Sequence, residues 1–210
     1  MFKKLILAGM AIAAFAAFVL PATASASPVL KEGAETVAAG KTIIATNTNP
    51  TLFTGAFKVE CSTAHLTATV TKNSGTKIEA TVAVGGATFS GTGTSGDCTS
   101  ALGSVHVTVL SELCLTSAAA PADEFSVTGC GEKPVEFTLN VTGGPESCVY
   151  KTVSVNGTYT TAATPATVNV SEQEAKKSAG GFFCPSSGKL DMDFDLYTDN
   201  LPTETALTIS

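Results

Sequence analysis

The chain has 210 residues, 44% of them hydrophobic, with 12 basic and 18 acidic side chains for a net charge of −6, and it lacks both arginine and tryptophan. That balance excludes an ordinary nucleic-acid binder, which needs clustered cations to displace counterions and guanidinium forks to read bases. It also disfavours electrostatic docking on anionic lipid, and it leaves room for one large domain or two small ones.

Residues 1–26 read as an export leader. Lys3 and Lys4 form a basic start, residues 5–20 are uncharged and apolar, Pro21 breaks the run, and Ala24, Ser25 and Ala26 supply small residues for cleavage. The apolar run of 16 residues falls short of the ~20 that a spanning helix needs. No cysteine follows it at the cleavage point, which argues against a lipid-anchored lipoprotein. Residues 27–210 are then expected to form a single secreted β domain, with ten lysines against eighteen carboxylates, or −8.

Beyond residue 40 the pattern is of strands: 42–46, 57–61, the run after Cys61, 77–84, 105–110, 124–128, 135–142, 152–160, 166–170, 190–197 and 206–209. The run 77–84 alternates, with Ile78, Ala80, Val82 and Val84 on one side and Lys77, Glu79 and Thr81 on the other, the mark of a half-buried strand. Threonine and valine explain the preference, since branching at Cβ suits a pleated surface and costs rotamer freedom in a helix. Asn73-Ser74-Gly75, Gly85-Gly86 and the glycines from 91 to 96 mark turns. The exception is 171–177, where Ser171 and Glu174 have the spacing of a capping box and predict a short helix or a polar loop. Short strands recurring about every ten residues predict an all-β fold: an antiparallel β-sandwich, Ig-like or jelly-roll-like, or alternatively a closed antiparallel barrel.

Six cysteines follow the leader: Cys61, Cys98, Cys114, Cys130, Cys148 and Cys184. An even number behind an export signal predicts three disulfides in an oxidising compartment, with 15 possible connectivities. The separations 61–98 and 148–184 are nearly equal, 37 and 36 positions, which favours those two pairs and leaves Cys114 with Cys130. The same symmetry predicts a duplication of units 61–110 and 148–197, with Leu66 equivalent to Val153 and Val107 to Met192. Zinc is disfavoured because the closest cysteines are 16 positions apart. No cofactor or metal site is predicted.

The candidate chemistry is sparse. Thr63-Ala64-His65 has the look of a serine-protease histidine segment, but Ser95-Gly96-Asp97-Cys98 lacks the glycines that would flank a nucleophile. His65 and His106 fall on polar strand faces and read as surface residues. The glycines of 91–96 precede neither a lysine nor a helix, so they make no phosphate cradle. Asp191, Asp193 and Asp195 alternate along one strand face with Asp199 beyond; an extended strand cannot curl around calcium, and a charged edge or face is expected. Catalytic residues are therefore predicted to be none.

The order Gly40-Lys-Thr-Ile-Ile-Ala-Thr-Asn, Cys61-Ser-Thr-Ala-His-Leu-Thr-Ala-Thr-Val, Ala87-Thr-Phe-Ser-Gly-Thr-Gly and, later, Cys148-Val-Tyr-Lys, Asn156-Gly-Thr-Tyr and Phe183-Cys-Pro-Ser-Ser resembles a group of secreted actinobacterial proteins of unknown function. It is distantly similar to the secreted "activator of alkane oxidation" proteins, which are linked to growth on hydrocarbons and to biofilm. The resemblance covers nearly the whole chain after the leader and implies no catalytic residues. Many of those proteins carry Leu-Pro-Trp near the middle, where this chain has Leu110-Ser-Glu-Leu-Cys114. Two functions follow as expectations: a non-enzymatic structural, surface- or matrix-associated protein, or a carrier of a small apolar ligand with a cavity lined by Phe89, Phe125, Phe137, Phe182 and Phe194. A cavity of several hundred Å3 against a solid core separates them.

Overall fold

The structure, a computed structural model, describes residues 27–210 with the exception of 48–51, 56–57, 75, 118–122, 145–146, 162 and 200–203. The leader lies outside the described residues. Eighteen strands follow in order: β1 (Leu30–Glu32), β2 (Glu35–Thr36), β3 (Thr42–Asn47), β4 (Phe53–Gly55), β5 (Val59–Glu60), β6 (Thr63–Ser74), β7 (Lys77–Val82), β8 (Ala87–Ser90) and β9 (Cys98–Ser100). Then come β10 (Gly103–Val109), β11 (Leu113–Ser117), β12 (Glu124–Gly129), β13 (Val135–Val141), β14 (Ser147–Thr152), β15 (Val155–Tyr159), β16 (Thr167–Ala179), β17 (Ser187–Thr198) and β18 (Thr205–Ile209). One 3-10 turn, Thr94–Gly96, is the only helical element among the described residues.

The pairings are antiparallel and run in closed circuits. One passes β3–β6–β7–β11–β12–β15–β16–β17 and returns to β3. The other passes β17–β4–β5–β9–β10–β13–β14–β16 and returns to β17. The 13 residues of β16 and 12 of β17 span roughly 40 Å at 3.3 Å per residue, so this pair is long enough to serve both. A closed circuit leaves its strands without open edges, the property of a barrel and of a sandwich whose sheets exchange strands at both sides. β1 pairs with β2 and β18, and Asn73 pins it: its side-chain oxygen accepts from Leu30 N, and its amide donates to the carbonyls of Leu30 and Val37.

The interior is packed unevenly. Phe53, Phe137 and Tyr150 form an aromatic cluster with ring centroids 4.7–6.1 Å apart, and Phe53 lies against Gly188 so closely that a Cβ there would stand 2.1 Å from its ring. Around Ile43, Ala68, Ala80 and Leu30 the side chains are smaller and aliphatic, and they leave space (below). Tyr150 is fully buried, its hydroxyl donates to Pro185 O at 3.1 Å, and burial pushes its pKa up to about 12. A phenol held above its unfolded value of about 10 contributes stability that is whole below that value and lost as pH rises through the folded one. Melting of the protein is expected to fall between pH ~10 and ~12 more steeply than that of Tyr150→Phe; parallel curves would refute the coupling.

The disulfides pair Cys61–Cys98, Cys114–Cys130 and Cys148–Cys184, and no cysteine among the described residues is free. Several elements differ from the sequence expectation. Residues 171–177 are the middle of β16, where ladders to β14 and β17 on either side outweigh the local capping signal. The run 77–84 ends at Val82; residues 83–86 turn with Gly85 at φ +82°, which leaves Val84 65% exposed. The equivalence of Leu66 and Val153 also fails, since Leu66 lies in β6 whereas Val153 sits in the β14–β15 turn, 83% exposed. After Cys61 the long strand comes first, and after Cys148 it follows two short ones. Equal spacing thus reports two staples of similar span rather than one strand order used twice.

Candidate functional site

Among the described residues, a groove of about 630 Å3 lies on the outer face of β11, β12, β15 and β16. It arises from an interruption in the ladder. β15 meets β16 only at Thr158↔Asn169 and Tyr159↔Val168, and β16 then shifts register between Val170 and Gln173, with Glu172 at φ +52°. A bulge of this kind bends its strand and pulls it from its neighbour. The Gln173 side chain fills the gap: its Oε1 accepts from Asn156 N at 3.0 Å, and its Nε2 donates to Ser171 O at 3.1 Å. Gly157 marks the close approach, because a Cβ there would lie 2.1 Å from Asn169 O and 2.6 Å from the Phe125 ring.

Cross-strand pairing sets the groove's chemistry. Thr116, Ser126 and Asn156 stand opposite one another in one row, and Glu124, Thr158 and Asn169 in a second. Neighbours in a row are about 4.8 Å apart and the rows about 7 Å. Hydroxyls and carboxamides dominate, and Glu124 is the one charged lining residue. Such groups offer donors and acceptors together, which suits hydroxyl-rich neutral ligands, and the lining offers an anion no cationic side chain.

Phe125 separates this groove from an apolar interior, since its ring borders both. Two cavities of about 120 and 90 Å3 lie inside, and they share Ala45, Leu66, Leu115, Phe125, Val168 and Leu196 as walls. The larger has no polar side chain in its lining. Phe89, Phe125, Phe137 and Phe194 line it as expected, but Phe182 does not. Phe182 is 93% exposed at the tip of the β16–β17 loop, because Cys184 rather than Phe182 turns into the core.

The other candidates resolve into structure. Asp191 accepts from Glu172 N at 2.8 Å, Asp193 from the Asn169 amide and Asp195 from the Thr167 hydroxyl at 3.1 Å, so each carboxylate has a donor from β16. β17 is an inner strand, so these residues form a charged face and not an edge. No cluster of three or more potential metal ligands occurs among the described residues. His106 Nδ1 lies 2.9 Å from Asp97 Oδ1, and Thr142 donates to Asp97 Oδ2 at 2.9 Å; these bonds, His106 first, hold the Asp97 carboxyl below the usual range. Nothing local marks this pair, because its members lie nine positions apart and only the antiparallel pairing of β9 with β10, Cys98 opposite Val105, carries Asp97 to His106. Asp97 is engaged there and does not serve His65.

No protein-family model matches the chain, and neither a curated protein nor a solved structure matches it. Three disulfides fit an oxidising environment, and no helix among the described residues is long and apolar enough to cross a membrane.

Proposed function

We propose that this is a secreted, non-enzymatic, surface- or matrix-associated β protein that holds a neutral hydroxyl-rich polymer in the groove between β15 and β16. The observation that carries this reading is the groove itself: about 630 Å3 lined by Thr116, Ser126, Asn156, Thr158, Asn169 and Gln173, with a single carboxylate. Edge-free strand circuits and three staples support a role outside the cell, where a fold must persist without chaperones. The leader supports export. Glu124 stands without a second acidic residue in the groove lining, whereas hydrolysis of a glycoside would use a pair of carboxylates.

Co-sedimentation with insoluble neutral glucans tests the reading. The wild-type protein is expected to be retained, and Thr158→Trp, which fills the groove from an exposed position, is expected to weaken retention at least about ten-fold, or ~1.4 kcal/mol, at unchanged melting temperature. No retention of the wild type on any neutral glucan would sink the proposal.

The interior favours a second reading, a carrier of a small apolar molecule. Cavities of about 120 and 90 Å3 fall below a drug-sized site but approach the ~150 Å3 of a dry cavity that admits benzene. A rise in melting temperature with benzene, absent in Ala45→Phe, would support it.

A further inference from the structure

The loop 180–186 between β16 and β17 ends in two adjacent phenylalanines, Phe182 and Phe183, which are 93% and 69% exposed with ring centroids 5.8 Å apart. The loop is held on both flanks. Cys184 is bonded to Cys148 of β14, and Lys177 Nζ donates to the carbonyls of Gly181 at 3.3 Å and Cys184 at 3.0 Å. Tyr150 donates to Pro185 O, and Gly180, at φ +119°, packs where a Cβ would stand 2.6 Å from Cys184 Sγ. None of these contacts buries either ring, so the loop is built to present them. The strand registers place the β9–β10 turn at the same end of the molecule, and Leu102 there is 51% exposed.

We infer that Phe182 and Phe183 form an insertion tip that enters the acyl boundary of a lipid surface. Two aromatic side chains offer roughly 300–500 Å2, within the range of a functional surface patch but well under the ~800 Å2 per partner of a specific protein interface. A second copy of this chain would therefore find too little apolar area to pair through the tip. A lipid surface requires no matched face, and rigid apolar side chains reach the acyl boundary as those of interfacial elements do. The net charge of −8 after the leader points to a zwitterionic lipid, because an anionic leaflet would repel the protein. This inference rests on the loop alone and is independent of the groove.

The chain has no tryptophan, so Phe182→Trp places a single reporter at the tip. Val153→Trp, at the opposite end of β14 and also strongly exposed at 83%, is the control, and it also accounts for any lipid contact made by residues 5–20. With phosphatidylcholine vesicles, emission from the full-length Phe182→Trp protein is expected to shift to the blue and to be quenched at least two-fold by brominated acyl chains, while Val153→Trp stays unshifted. An unshifted Phe182→Trp, or equal shifts at both positions, overturns the inference. So does a blue shift that needs no lipid and grows with protein concentration, for it would place a second copy on the tip.

Discussion

Val107→Asp is expected to destabilise the fold by on the order of 4 kcal/mol, an unpaired charge forced into an apolar interior. Val107 is 6% exposed, faces inward from β10 opposite Leu139 of β13, and lines the larger cavity, whose walls offer no polar group. For a domain of this size that loss corresponds to roughly 8–16 °C in melting temperature. The neighbouring Thr108 is half-buried on the other face of β10, opposite Thr138, and Thr108→Asp should cost far less, about 1 kcal/mol, the centre of the range for point substitutions. Acid should narrow the difference, because an aspartate that protonates no longer carries its charge into the core. Thermal melts of both variants at neutral and acid pH decide the matter, and equal tolerance would show that the alternation in β10 does not set the inner face.

Removing the Cys148–Cys184 staple by the double alanine substitution is expected to cost about 3–4 kcal/mol, the loop-closure entropy that a bridge over this span withholds from the unfolded chain. The bridge closes 36 positions and ties β14 to the loop that carries the phenylalanine tip. The β14–β16 ladder has a register shift between Val149 and Tyr150, so hydrogen bonding alone holds this end weakly. The urea midpoint should fall while the slope rises, because the unbridged unfolded chain is less compact and exposes more surface. A loss under about 1 kcal/mol would mean that the ladder and the Tyr150–Pro185 bond suffice without the covalent link.

The strands that could be read from the chain were those whose alternation matches their burial. Residues 105–109 and 135–141 put Val105, Val107, Phe137 and Leu139 inside, as their two-residue period requires. The second half of β16 was hidden because Ser171 and Glu174 have the spacing of a capping box, and only ladders from β14 and β17 override it. β11 escaped notice for a related reason: its five residues include the half-exposed Cys114 and Leu115, and its two edges join β7 to β12, far apart in sequence. Val153 misled because alternation continues past the point where the chain turns.

The groove was not legible at all. Its residues are ordinary exposed threonines, serines and amides of four strands, and nothing local marks Gly157 as the place where Phe125 and Asn169 come too close for a Cβ. The aromatic residues were legible as apolar, but not by location: four of the five expected cavity residues line the interior, and the fifth is held outside by the disulfide next to it.

The amino-acid sequence by itself determined the all-β class and the inward residues of the regular strands, because β-branching and two-residue alternation act locally, and its cysteine spacing favoured the three sequential staples among the possible pairings. Tertiary structure alone decided the closed circuits, the break between β15 and β16, the interior cavities and the exposed phenylalanine tip. Each of these depends on which strands lie side by side, and that choice is made by the packing of the whole interior rather than by any segment of it.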